Sequence, residues 1–158
     1  MSFIGLNLTN NYSLYAVPAA WIIAFAPHFY AVTVFNSERA PGTPEWDNRE
    51  PHSNLAKLKE AKLSPNAHGI YTRAEAAQQN GFQNLPLFAA AVLAGNFARL
   101  SPSTLNTTAA LYLVSRIIYN VVYITNTTKS TANVRSVVFV SGVITLMSLF
   151  VKAGNKLF

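Results

Sequence analysis

The sequence predicts an all-α integral membrane protein built as a four-helix bundle, because charge is absent from most of it. Residues 1–37, 76–98 and 136–151 contain no charged side chain, and residues 105–128 contain one, Arg116. A helix needs about 20 apolar residues to cross a hydrocarbon core roughly 30 Å thick. Each of the four stretches therefore supplies enough apolar sequence for one membrane span.

The overall composition agrees with a single membrane domain over residues 1–158. Only 11% of the residues are charged and 51% are hydrophobic, whereas soluble domains carry about 25% charged residues. A soluble bundle of four such helices would lack the polar sequence needed to cover its surface. The expected surroundings are therefore membrane lipid, and the net charge of +6 is attributed to topology rather than to a nucleic-acid partner.

Four spans follow from the apolar stretches, at about residues 12–35, 67–98, 105–125 and 133–151. Pro18 and Pro27 interrupt the first span, and a neighbouring helix can cover the carbonyl groups that they leave free. The second span is rich in small residues, which permit close helix approach: Ala89, Ala90, Ala91, Ala94 and Gly95.

The polar segment of residues 36–66 determines the predicted topology. Its four prolines favour an irregular, solvated loop with a short helix near residues 54–63, and a gate over a cytoplasmic site is the alternative. Basic residues concentrate in this loop and between the third and fourth spans, and positive loops favour the cytoplasm. Both chain termini are therefore expected on the lumenal or exterior side.

No metal site is predicted. The chain contains no cysteine, and His28 has no second ligand at a suitable spacing. A structural role, or a position facing a polar interior, is the expectation for His28.

Polar residues of the second span form the first half of a candidate site. At about 3.6 residues per turn, Arg73, Ala77, Asn80 and Asn84 lie along one helix face, and Gln83 flanks Asn80. A polar face of this length at a membrane boundary needs partners inside the protein.

The third span supplies the second half, in which Arg116, Tyr119 and Tyr123 share one stripe. An arginine at membrane depth is costly, so Arg116 is expected to face a water-reachable crevice beside Asn80. A guanidinium and two phenols can bind an anion or hold a thiol by hydrogen bonding. Arg135 lies near the cytoplasmic end of the fourth span. Each residue alone would more often be structural, but their convergence favours a ligand site.

These motifs resemble those of the MAPEG family, the membrane-associated proteins in eicosanoid and glutathione metabolism. The family signature in span two reads RAEAAQQNGFQNLPLF here, with matches at Arg73, Ala74, Ala77, Asn80 and Pro86. The span-three pattern of an arginine and two tyrosines is matched by Arg116, Tyr119 and Tyr123, and the arginine that opens span four is similar to Arg135.

The resemblance implies a homotrimer, placed in the endoplasmic reticulum, that binds glutathione between neighbouring subunits. It implies a cofactor-binding set of Arg73, Asn80, Gln83, Arg116, Tyr119 and Tyr123. It also implies a catalytic set in which Arg135 stabilises the thiolate, together with Arg116 and Tyr123. The family glutamate that holds the amino group of glutathione is replaced here by Gln83.

Three functions are compatible with these residues. The first is a glutathione-dependent membrane transferase or isomerase acting on a lipophilic electrophile. The alternative, suggested by Gln83, is a glutathione-independent isomerase or cyclase of a lipophilic metabolite on the same scaffold. The third is a non-enzymatic membrane scaffold whose polar faces only join its subunits. Asn84 and Ala76 differ from the eicosanoid branch, so that subgroup is not expected.

Overall fold

The structure describes residues 10–50 and 54–158, except for the side chains of residues 55 and 56. All regular secondary structure in these residues is helical. In this computed structural model a 3-10 turn, Ser13–Tyr15, precedes the first helix. The helices are α1 (Ala16–Glu38), α2 (Asn54–Glu60), α3 (Pro65–Phe97), α4 (Pro102–Thr125) and α5 (Lys129–Leu157). The predicted all-α class is confirmed.

The helix boundaries follow capping chemistry that is present in the sequence. Ser64 before α3 and Ser101 before α4 each accept a hydrogen bond from a backbone N–H of the first turn, and each is followed by a proline. Thr128 and Thr131 form a reciprocal capping box at the start of α5. This box begins α5 at Lys129, four residues before the predicted span.

Three helical segments have the length and apolar composition of membrane spans: Ser13–Glu38, Pro102–Thr125 and Lys129–Leu157. Helix α3 is continuous over 33 residues, but its first half carries the predicted polar face. The fourth crossing therefore stays a prediction.

Exposed apolar side chains follow one stripe of α5, as a lipid-facing surface requires: Val134, Val137, Val140, Ile144, Met147 and Val151.

Helix α3 packs against all three other long helices, α1, α4 and α5, and most extensively against α1. A Cβ atom placed at Gly81 would lie 2.8 Å from the Cβ of Ala24 on α1. A Cβ atom at Gly95 would lie 2.7 Å from Cδ2 of Leu105 on α4. The prediction that small residues of this helix permit close approach is thus confirmed at Gly95 and at the fully buried Ala91.

The loop between α1 and α2 is folded onto the helices. Asn54 is only 1% exposed, and its amide exchanges two hydrogen bonds with the backbone of Asp47, at 3.0 and 2.9 Å. The side-chain hydrogen bond from Arg49 holds the pKa of Asp47 well below its ordinary value. Trp46 packs on the buried Phe35. The predicted short helix near residues 54–63 is present as α2, and the loop residue Trp46 packs on an apolar cluster formed mainly by α1 and α3.

Pro27 removes a hydrogen bond from α1, and α4 replaces it. Proline has no backbone N–H, so the carbonyl group of Ile23 loses its donor within the helix. Asn120 on α4 donates its side-chain amide to that carbonyl at 2.9 Å. The predicted covering of a free carbonyl by a neighbouring helix is confirmed, and this bond fixes the register of α1 against α4.

Replacing Asn120 with alanine should lower the free energy of unfolding by about 1–3 kcal/mol, because the Ile23 carbonyl then lacks a donor. In a Pro27→Ala background the helix supplies its own N–H, so the same replacement should cost clearly less. Thermal unfolding of the four variants in detergent, analysed as a double-mutant cycle, measures this coupling. Equal costs in the two backgrounds would contradict the assignment.

Candidate functional site

The guanidinium of Arg116 is buried between α4 and α5, and it is the centre of the candidate site. Only 4% of the residue is exposed. Its Cζ atom lies 5.2, 4.9 and 5.5 Å from the ring centroids of Tyr112, Tyr119 and Phe139. Aromatic faces attract a cation electrostatically, most strongly where water is excluded. The three rings therefore surround the guanidinium and stabilise its positive charge.

The polar hydrogens of Arg116 are incompletely satisfied by the protein. Nη2 donates to the carbonyl oxygen of Phe139 at 3.5 Å, which is a long hydrogen bond. Nε and Nη1 are buried, and neither has a hydrogen-bond partner within residues 10–50 and 54–158. None of the ion pairs in that same part of the chain includes Arg116. A buried cation without a carboxylate is costly, and the aromatic rings offset only part of this cost.

The space beside the guanidinium is very small. A cavity of about 10 Å³ lies between α1, α3 and α4, lined in part by Arg116, Tyr112 and Asn120. This volume is roughly that of one water molecule, which could accept hydrogen bonds from the unpaired nitrogens. This cavity is too small for a ligand, and the expectation of a larger crevice beside Arg116 stays a prediction.

Gly142 on α5 allows the close packing around Arg116. A Cβ atom at this position would lie 2.5 Å from Nη2 of Arg116 and 3.0 Å from Oγ of Ser115. Sequence analysis missed Gly142, Tyr112 and Phe139. Tyr112 lies four residues before Arg116 on the same helix face, a spacing that could have identified it. The other two residues belong to another helix, and only the fold reveals their proximity.

Four of the predicted site residues form a continuous column: Arg116, Tyr119, Tyr123 and Arg135. The rings of Tyr119 and Tyr123 are 5.5 Å apart, edge to face. Cζ of Arg135 lies 4.6 Å from the centroid of the Tyr123 ring. Tyr119 is buried, whereas Tyr123 and Arg135 are half-buried. This cation–phenol column thus runs from the interior to an accessible end formed by a phenol and a guanidinium.

The predicted polar residues of α3 do not join this column in the subunit. Asn80 donates its amide to the carbonyl of Ala76, and Asn84 donates to the carbonyl of Asn80, each at 2.8 Å. Gln83 is exposed. Across the described ranges of the chain, no hydrogen bond connects Asn80, Gln83 or Asn84 to α4 or α5. The subunit therefore has two separate polar surfaces, the column and the α3 row of Asn80, Gln83 and Asn84.

Arg73 joins the start of α3 to the end of α4. Its Nε donates to the carbonyl oxygen of Ile124 at 2.8 Å. The last carbonyls of a helix have no partner within the helix, so this bond satisfies a group that would otherwise need water. Arg73 therefore has a structural contact near the accessible end of the column, and its predicted contact with a ligand carboxylate stays a prediction.

The fold and the column together define an all-helical protein with helices suited to a membrane and a cationic, phenol-lined site. The model of the MAPEG family matches residues 14–155. The chain belongs to the MAPEG family, as the motifs of α3 and α4 predicted. No curated protein and no solved structure matches the chain.

A methyl group at Gly142 tests how closely α5 must approach Arg116. Gly142→Ala should lower the free energy of unfolding by about 1–3 kcal/mol, because the guanidinium must leave its aromatic surroundings. Gly154→Ala is the matched control on α5, since a Cβ atom there meets nothing within 4 Å. The control should stabilise the helix by about 0.5–1 kcal/mol. Thermal unfolding in detergent measures both values, and a Gly142→Ala variant as stable as the control would refute this packing.

Proposed function

We propose that this protein is a glutathione-dependent membrane enzyme, a transferase or isomerase that acts on a lipophilic electrophile. The observation that carries the proposal is the accessible end of the column, where the Arg135 guanidinium lies 4.6 Å from the Tyr123 ring centroid. Membership of the MAPEG family supports it, since the family generally uses glutathione as a cosubstrate. The lipophilic electrophile would enter from the lipid phase.

The chemistry of this end suits an anionic thiol peptide. Arg135 supplies a positive charge, and a nearby cation lowers the pKa of a thiol and raises its thiolate fraction. The phenol of Tyr123 can donate a hydrogen bond to the sulfur anion. The sulfur would then form a bond to an electrophilic carbon. The electron pair of the bond that breaks would either leave with a departing group or move through a conjugated double bond onto a carbonyl oxygen, which would then take a proton from water. Holding thiol and substrate together also lowers the entropic cost of their reaction.

Arg116 is assigned as a positioning residue in this proposal. The space beside its guanidinium holds about one water molecule, too little for a peptide. Its contact with the Tyr119 ring fixes that ring against Tyr123. The direct contact with glutathione that the resemblance implied would require more space beside the guanidinium than this cavity provides.

A homotrimer would bring the two polar surfaces together. Asn80 and Gln83 of one subunit would lie opposite the column of the next, with glutathione between them. This arrangement also accounts for α3, whose first half is too polar to face lipid but suits a subunit interface. The fourth crossing, cytoplasmic loops, lumenal termini and a location in the endoplasmic reticulum belong to the same proposal.

Arg135→Gln tests the role of the guanidinium. It should weaken glutathione binding about tenfold or more, because a charge-assisted contact is lost. It should also reduce the ultraviolet absorbance of the bound thiolate, because the thiol pKa rises. Calorimetry and difference spectroscopy measure these two effects. Lys129→Gln is the matched control, an exposed charge at the start of α5. Glutathione binding that is absent from the parent protein, or equal in both variants, would end the proposal.

Gln83 favours a second candidate function, a glutathione-independent isomerase or cyclase of a lipophilic metabolite. Its exposed amide is neutral, so it cannot form an ion pair with the amino group of glutathione. On this alternative, the residues that polarise a carbonyl group or move a proton would be Asn80, Arg116, Tyr119 and Tyr123.

Gln83→Glu distinguishes the two candidates. For the glutathione-dependent enzyme, restoring the carboxylate should raise glutathione affinity about tenfold by charge pairing, with turnover retained. For the alternative, glutathione affinity should appear while native turnover is lost. Gln79→Glu, an exposed residue about one turn earlier, is the control for added charge. A scaffold without activity would show neither ligand binding nor turnover, and Arg116→Ala would abolish its assembly.

A further inference from the structure

A second cavity, of about 450 Å³, lies between the α1–α2 loop, α1 and the first half of α3. Its volume is in the range of small-molecule sites, roughly 300–1,000 Å³. None of the column residues lines it. We refer to it as the loop cavity, and its chemically informative walls are His28, Trp46, Asn48, Tyr71, Glu75 and Gln79.

An imidazole–carboxylate pair forms the polar part of this cavity. Nδ1 of His28 lies 2.7 Å from Oε1 of Glu75, and the two side chains are 23% and 22% exposed. An ionised carboxylate only accepts hydrogen bonds, so Nδ1 of His28 must be the donor. When the imidazole is neutral, its free lone pair is then on Nε2. Nε2 has no hydrogen-bond partner among the residues that the structure describes.

Aromatic rings form the apolar part of the same cavity. The Trp46 ring meets the His28 ring edge to face at 5.5 Å, and it lies 6.3 Å from the Tyr71 ring. Flat rings favour contact with another planar apolar molecule. Asn48 and Gln79 are exposed and add amide groups. A free acceptor between aromatic walls suits a planar ligand that donates one hydrogen bond.

We propose that the loop cavity binds a planar aromatic molecule with a weakly acidic hydroxyl group, such as a phenol or an enol. The ligand hydroxyl donates to Nε2 of His28. A hydroxyl donor fits better than an anion, because the carboxylate of Glu75 is adjacent and would repel negative charge. The site is independent of glutathione and of the column. The competing explanation is that His28 and Glu75 form only a structural ion pair between α1 and α3.

Trp46 provides a direct reporter of occupancy. The chain has two tryptophans, so Trp21→Phe leaves Trp46 as the single one. The probes are 4-nitrophenol and 4-nitroanisole, which has the same ring but no hydroxyl donor. The pH is held between the ordinary pKa of histidine, about 6.5, and the pKa of 4-nitrophenol, so that an imidazole can accept and the phenol can donate. Both should quench Trp46 fluorescence, and 4-nitrophenol should bind about tenfold more tightly, the value of one hydrogen bond. No saturable quenching, or equal affinity for the two probes, would overturn the proposal.

Two sets of variants, made in the same Trp21→Phe protein, separate a binding site from a structural ion pair. His28→Phe with Glu75→Leu removes both polar partners at once and should abolish the preference for 4-nitrophenol. Thr72 lines the loop cavity, so Thr72→Phe should fill it and weaken the binding of both probes at least tenfold. Thr33→Phe is the matched control, because Thr33 and Thr72 are both exposed and each bonds the carbonyl four residues earlier.

The outcomes of these variants are decisive in either direction. A preference for 4-nitrophenol that survives in the double variant would refute the role of His28. If the double variant does not fold, Thr72→Phe and Thr33→Phe decide the matter, and equal probe affinities in those two proteins would refute the site. Glutathione calorimetry on the same samples should be unchanged, so failure here leaves the proposed function untouched.

Discussion

The unpaired charge of Arg116 is the constraint on which the rest of this structure depends. A guanidinium without a carboxylate is tolerated in the interior only where electron-rich faces surround it. That requirement places Tyr112, Tyr119 and Phe139 around one point and brings α5 close to α4 at Gly142. The remaining space holds about one water molecule. The cavity beside the guanidinium is therefore too small for a peptide, and the proposed chemistry is assigned to the accessible end of the column.

Because the cavity beside Arg116 is too small for a peptide, the proposed site depends on how subunits assemble. The column ends at Tyr123 and Arg135, while the row of amides on α3 faces elsewhere in the subunit. Helix α3 carries too many polar groups for lipid, yet, like α4, it packs against all three other long helices. A second copy of the chain against that polar row would satisfy its amides and complete a site. The same interface would therefore serve both stability and binding.

Local patterns in the sequence were sufficient to predict the helices and which residues share a face of each helix. Arg116, Tyr119 and Tyr123 share a face because of helix geometry alone, and the prolines identified which carbonyl needed a donor. The position of Phe139 beside Arg116 could not be predicted, because it depends on how α5 crosses α4. The small size of the cavity beside Arg116 has the same cause, since it depends on three helices at once. His28 and Glu75 are 47 residues apart, and only the packing of α1 on α3 makes them a pair. The apolar cluster on which Trp46 packs likewise depends on contacts between distant segments, since Phe35 and Tyr71 belong to different helices.

Assembly of mixed trimers tests the central claim, that the α3 row of one subunit and the column of the next form one glutathione site. Asn80→Ala and Arg135→Gln damage different halves, so trimers of either variant alone should bind glutathione poorly. In trimers assembled from equal amounts of both, about a quarter of the interfaces would combine two undamaged halves. Calorimetry should then recover tight binding at about that fraction of sites. If the mixed trimers bind no better than either variant alone, the two halves belong to one subunit and the account is wrong.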